Sequence, residues 1–181
     1  MEKFDADKDG KLSDEERRKI AAEQDDSNFE SLQYKLEKQI GADEQLAELL
    51  SVVTFVREKE GLRIEIIDKA DFAMFALGTT RLLPRAQTLL DEVAKSLGSM
   101  PNKVAVRGHT DSVAFANTEN RNNWSLSAER AEETRKILER TGLKQDRFAK
   151  IEGVADTAPY NPNDPKDPRN RRISITVMNR E

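Results

Sequence analysis

Two residues of opposite charge stand where an apolar strand gives way to a helix. Asp111 follows the run Val104-Ala105-Val106-Arg107-Gly108-His109-Thr110, and Arg130 lies in the amphipathic stretch 126–138 that comes next. A carboxylate and a guanidinium lining one groove suit a zwitterion: the acid takes an ammonium, and the planar arginine fork grips a carboxylate through two parallel hydrogen bonds. Gly108 lets the backbone come close to a neighbour at the strand's C-terminal end, where crossover connections commonly leave a crevice. Asp111 also has a plainer reading as a turn or cap residue, since aspartate favours both. Arg130 weighs against it. With the helix capped at Ser125 or Ser127, a cation in its first turns opposes the helix dipole by about 0.3–1 kcal/mol and calls for a compensating anion. That anion is Asp111, as a private salt bridge, or a ligand carboxylate. The expectation is that the two side chains hold each other in the empty state and share the ligand in the bound one.

The elements that position this pair follow from periodicity. Val53 and Phe55 alternate before the Glu60-Gly61 turn signal, and Leu62, Ile64 and Ile66 alternate after it, which predicts a hairpin. Pro84 starts a helix whose buried stripe is Ala86, Leu89, Leu90, Val93, Ala94 and Leu97, ending near Gly98. Further strands are predicted around Val104 and Val106, at 148–154, and at the C-terminus with Ile173, Ile175 and Val177 inward. Pro159, Pro162, Pro165 and Pro168 recur at every third residue, so this segment is expected to be an extended surface loop without ladder bonds. Arg171 and Arg172 follow it and must point to opposite sheet faces. Strands interleaved with helices give an α+β sandwich, a mixed sheet covered on one face by helices.

Three stretches divide the chain: an acidic segment at 1–27, a helix at 28–50, and the sandwich domain at 51–181. The stripe Phe29, Leu32, Leu36 and Ile40 has helical spacing, and Gly41 breaks it. It serves either as packing against its own domain or as a dimer-forming linker. Residues 1–60 hold 17 acids and 10 bases, a net −7, and the remainder carries +3, which together make the −4 of the chain. With that balance, and no basic tract with interleaved aromatics, no nucleic-acid partner is expected. Absence of cysteine excludes disulfides and thiolate chemistry. The longest apolar run, 49–56 with Ser51 and Thr54 inside it, falls far short of the ~20 residues a membrane helix needs.

Catalysis finds no support. His109 is the only histidine, with no Ser-His-Asp or Cys-His order around it, and a structural role suits it better. Asp111 and Glu119 imitate a glycosidase acid pair, but nothing raises the proton affinity of either. No cofactor is required. Calcium is the one ion the sequence suggests: 5–16 fits D-x-[DN]-x-[DN]-G-x5-E, with Asp5, Asp7 and Asp9 as acidic ligands, the Lys11 carbonyl as the backbone ligand and Glu16 supplying two oxygens. Only four residues precede the loop, and Arg17 follows Glu16 where an apolar residue is usual. An acidic segment that merely has this composition is the alternative.

The order Thr110-Asp111, a variable loop, then Asn123, Leu126, Ser127, Arg130 and Ala131 resembles the OmpA-like peptidoglycan-binding domain, over roughly residues 60–178. NWSLSAERA, around Trp124, and the terminal NRRISITVMNRE are similar to the MotB-type flagellar stator branch of that family, as is EGLRIEIIDKADFAMFALGTTRLLP. The resemblance implies a non-enzymatic wall anchor, with a general envelope tether of the OmpA or Pal kind as the alternative. It implies that the ligand is the diaminopimelate-containing stem peptide of peptidoglycan, with the glycan nearby. Thr110 and the backbone around Leu126 and Ser127 would hydrogen-bond it, Asn123 would order the loop, and Arg171, from the family's Asn-Arg-Arg, would line the groove. Trp124 is expected to plug the core rather than serve as a sugar platform, because buried aromatics dominate core energetics. The resemblance further implies a homodimer, a MotA-type channel partner reached through a membrane helix upstream of Met1, and a periplasmic location for this part of an inner-membrane protein.

Overall fold

The computed structural model describes residues 11–113 and 121–180. A single five-stranded sheet organises the chain in the order β1-β2-β5-β3-β4, formed by β1 (Val53–Glu58), β2 (Gly61–Ile67), β3 (Val104–His109), β4 (Phe148–Gly153) and β5 (Arg172–Met178). β1 and β2 form the hairpin expected from alternation, with Glu58 opposite Gly61. Gly61 is obligatory there: its φ is +154°, and an added Cβ would lie 2.0 Å from the Val177 carbonyl oxygen. β5 runs antiparallel to β2 and β3, while β3 and β4 are parallel, joined through the helix between them. This mixed pattern makes the α+β assignment concrete.

Three helices contribute to the core: α1 (Asp14–Ala42), α2 (Pro84–Leu97) and α3 (Asn123–Arg140). The six residues forming the stripe of α2 are all buried, as are Leu62, Ile64, Ile66, Val104, Val106, Ile173, Ile175 and Val177 on the facing side of the sheet. The opposite face carries polar side chains, among them Glu65, Ser174 and His109.

The N-terminal helix differs from its expected extent. It begins at Asp14, not at residue 28, because Ser13 and Glu16 form a capping box and the polar residues after them are good helix formers. An irregular 3-10 segment, Ala47–Val52, takes the place of the expected last turns. Phe29, Leu32, Leu36 and Ile40 enter the common hydrophobic core, and α1 packs on α2. The stripe is therefore occupied within its own chain and does not face outward as a dimer seam. The polar first half of α1 is held by Asp25, whose carboxylate accepts hydrogen bonds from the Arg180 amide (2.7 Å), Arg180 Nε (2.8 Å) and Asn102 Nδ2 (3.1 Å). Burial pushes the Asp25 carboxyl up, but these donors outweigh it and hold it below its usual range.

Of the calcium-loop residues, Asp5, Asp7 and Asp9 lie outside the described residues. Glu16 has one carboxylate oxygen in the capping box, accepting from the Ser13 amide and hydroxyl at 2.8 and 2.7 Å. Among the described residues there is no cluster of three acids or histidines able to hold a metal, and no helix long and apolar enough to cross a membrane.

Candidate functional site

The groove forms where the parallel strands β3 and β4 end and α3 begins. Helix α3 lies unusually close to the sheet. A Cβ on Gly108 would sit 2.0 Å from the Ser127 carbonyl oxygen, and one on Gly153 would sit 2.2 Å from the Ala128 amide nitrogen. The neighbour that Gly108 admits is thus the helix itself. Ser127 is consumed by this packing: fully buried, its hydroxyl donates to the Trp124 carbonyl and accepts from the Ala155 amide, both at 3.0 Å. Its own amide lies beyond the four unpaired N–H groups of a helix start. Leu126 is buried and donates its amide to the Asn122 carbonyl. Neither residue offers the backbone donor expected of it; Asn123 and Trp124, in the first turn, stand closer to that role.

The helix is capped at Asn122, not at Ser125 or Ser127. Asn122 Oδ1 accepts the Ser125 amide, and the Ser125 hydroxyl accepts the Asn122 amide in return. Arg130 is consequently two turns in, where the dipole penalty has faded, and burial is what makes it unusual. It is 6% exposed. Its Nε donates to the Thr79 carbonyl at 3.0 Å, and its guanidinium carbon lies 5.0 Å from the centroid of the Phe75 ring. Burial depresses its pKa, with the Asp68 and Asp111 charges pulling the other way and Arg171 adding to the depression, but a guanidinium stays protonated at any physiological pH.

Asp111 does not pair with Arg130. Its Oδ2 accepts Arg171 Nη1 at 2.7 Å, while its Oδ1 accepts the Val113 amide at 3.0 Å in a tight turn. The expected private salt bridge is replaced because Arg171, just before β5, points to the Ile173 side of the sheet and reaches Asp111 first. Arg171 also donates Nε to Asp68 Oδ2 at 3.1 Å, and Asp68 Oδ1 accepts the Met74 amide at 3.0 Å. Burial opposes the Arg171 charge, but the Asp111 and Asp68 carboxylates more than restore it. For Asp68 the balance is reversed: burial outweighs its donors and raises its carboxyl above the usual value. Asp68, not singled out above, carries the same signal as Asp111, an acid closing an apolar strand: it follows β2 as Asp111 follows β3.

The remaining site residues surround this quartet. Thr110 donates its amide to the Ala155 carbonyl, and its buried hydroxyl has no hydrogen-bond partner among the described residues. Asn123 donates Nδ2 to the carbonyls of Val113 (3.1 Å) and Asp111 (3.4 Å), just after β3. The proline segment, expected to be extended, lacks ladder bonds but folds into turns and a short 3-10 helix, Pro168–Asn170, and the Pro165 carbonyl accepts the Ser112 amide. Trp124 departs from expectation: on the first turn of α3 it is 55% exposed and plugs nothing. Arg172 points to the other sheet face, where it pairs with Glu65 at 3.1 Å. His109 lies there too, 3.2 Å from the Ser174 hydroxyl, and burial plus the charges of Arg172, Arg107 and Arg63 lower its pKa to about 3. It is a neutral structural residue. Glu119 lies outside the described residues.

A two-layer α+β domain with a balanced charge quartet in a strand-end groove is a recognition module. Residues 74–172 match the OmpA family, and the chain belongs to it. Domains of this family bind peptidoglycan without catalysing a reaction. The chain is 34% identical over 156 residues to Motility protein B of Escherichia coli K12, covering 86% of this chain and 51% of that protein. It spans about half the length of the curated relatives it matches. The cell wall anchor of the type VI secretion system from Pseudomonas aeruginosa superimposes with a TM-score of 0.63 at 30% identity, covering 75% of this chain and 95% of that one. A MotB-like protein from Desulfovibrio vulgaris gives a TM-score of 0.73 over 91% of this chain and 96% of its own, and at 19% identity that likeness is one of fold.

Proposed function

We propose that this chain is the wall-anchoring domain of a MotB-type flagellar stator, holding the stem peptide of peptidoglycan between Arg130 and Asp111. Arg130 carries the reading. A buried guanidinium with no carboxylate partner among the described residues is costly to keep, and a ligand carboxylate received by its free Nη groups would repay that cost. The Asp111 carboxylate accepts two hydrogen bonds among the described residues, and a carboxylate has about four lone-pair sites, so a ligand ammonium has room. Thr110 supplies a hydroxyl with no partner among the described residues, and Trp124 an exposed ring on the first turn of α3 for a sugar face.

In this role the domain sits in the periplasm, partners a MotA-type channel subunit embedded in the inner membrane, and works as a homodimer whose two sites gain by avidity. The similarity to Motility protein B supports the stator reading. The similarity to a secretion-system wall anchor supports a second one, a tether for another envelope machine. Sedimentation with purified sacculi tests the binding. Wild type should pellet, while Asp111→Asn and Arg130→Ala should remain in the supernatant with native circular dichroism; a wild-type protein left in the supernatant overturns the proposal. Restored swimming when the domain replaces its counterpart in a stator-deficient strain separates the stator from the general tether.

A further inference from the structure

Arg171 serves two carboxylates with different nitrogens: Nη1 meets Asp111 at 2.7 Å and Nε meets Asp68 at 3.1 Å. Asp68 is buried with both oxygens engaged: one takes the Met74 amide, and the other takes Arg171. A second link fixes it, since its backbone amide donates to the Arg171 carbonyl at 3.0 Å. Asp68 therefore holds Arg171 by side chain and main chain together.

That hold has two effects on Asp111. A guanidinium facing a single carboxylate prefers to engage both of its oxygens. Here one edge of Arg171 is committed to Asp68, so Asp111 receives a single bond, and its other oxygen stays in the Val113 turn. The second effect is electrostatic. Asp68 and Asp111 together match Arg130 and Arg171, so the quartet is neutral; with Asp68 uncharged it would carry +1 and favour a bare carboxylate over a zwitterion.

We propose that Asp68 is the positioning and specificity-determining residue of the groove, committing Arg171 to one-edged contact so that Asp111 keeps its capacity for a ligand ammonium. This rests on the zwitterion-binding role proposed above for Arg130 and Asp111. In Asp68→Asn the amide oxygen still accepts the Met74 amide, so the loop is retained. Its Nδ2 then faces Arg171 Nε, donor against donor, and releases the guanidinium to Asp111.

Calorimetric titration with meso-diaminopimelate and with pimelate, the same carbon chain without ammonium groups, tests this. Wild type should prefer diaminopimelate. Asp68→Asn should weaken diaminopimelate roughly tenfold, about the worth of one charge-assisted hydrogen bond, while pimelate binds as well as before or better. A residue that only supported the fold would weaken both ligands alike, so an unchanged ratio in Asp68→Asn overturns the proposal. Arg171→Gln is the second variant, usable even where Asp68→Asn does not fold. It leaves the groove at −1 and should raise the preference for diaminopimelate, and an unchanged ratio there is equally contrary. Loss of wild-type binding to both ligands and to sacculi refutes the underlying site, and this inference with it; wild-type binding with an unaltered ratio refutes the inference alone.

Discussion

Asp111 and Arg171 pair at 2.7 Å, and that pairing leaves Arg130 buried without a carboxylate partner among the described residues. In the proposed role, Arg171 holds the groove and Arg130 receives the ligand. A cation buried for binding rather than for stability has a measurable signature.

Replacing Arg130 by methionine, which keeps much of the volume and the contact with Phe75, should leave urea stability unchanged or raise it by about 1–2 kcal/mol, because the desolvation cost of the charge disappears. Sacculus binding should be lost in the same variant. A large loss of stability would mark Arg130 as a structural residue.

Close approach of α3 to the sheet sets the second expectation. Gly108→Ala places a methyl 2.0 Å from the Ser127 carbonyl oxygen, and displacing a helix to relieve such a clash costs about 1–3 kcal/mol or more. Since α3 carries Arg130, binding should weaken along with the fall in the urea midpoint. A Gly108→Ala protein as stable as wild type would contradict the packing described.

His109 governs a pH dependence. Folding lowers its pKa from 6.5 to about 3, so between those values the unfolded chain binds the extra proton. This contribution to stability is complete above pH 6.5 and is lost as the pH falls towards 3, at up to about 1.4 kcal/mol per pH unit. Urea unfolding at pH 7 and pH 5 should show a larger drop for wild type than for His109→Gln, and equal drops would contradict a buried neutral imidazole.

The calcium-loop reading of residues 5–16 predicts a dissociation constant for Ca²⁺ on the order of 0.1–1 mM. The ion must share the Glu16 carboxylate with the Ser13 cap. Isothermal titration should give a saturable heat that Asp9→Ala abolishes; identical traces would remove the site.

Much of this architecture was legible in the residues, for reasons that also show where legibility stops. Alternation in β1 and β2 and the six-residue stripe of α2 encode burial directly, so those elements sit where periodicity puts them. The start of α1 was missed because 14–27 has no apolar stripe; its helicity rests on the Ser13 cap and on Asp25 reaching the chain's far end. Asp111 and Arg171 could be picked out singly. Which arginine would meet Asp111 could not, since it depends on a sheet that sets β5 beside β3 after more than sixty intervening residues. Trp124 is not legible in this way, because aromatic burial is a tendency and a first-turn position on α3 leaves the ring exposed.

On the proposed function, wall fragments bind in the groove of Arg130, Asp111 and Thr110. Titrating the isotopically labelled domain with soluble muropeptides, and following amide, guanidinium Nε and indole signals by NMR, locates that binding. Shifts should concentrate at Thr110, Asp111, Asn123, Trp124 and Arg130. Shifts confined to Arg63, Arg107 and Glu152 on the opposite sheet face would contradict it.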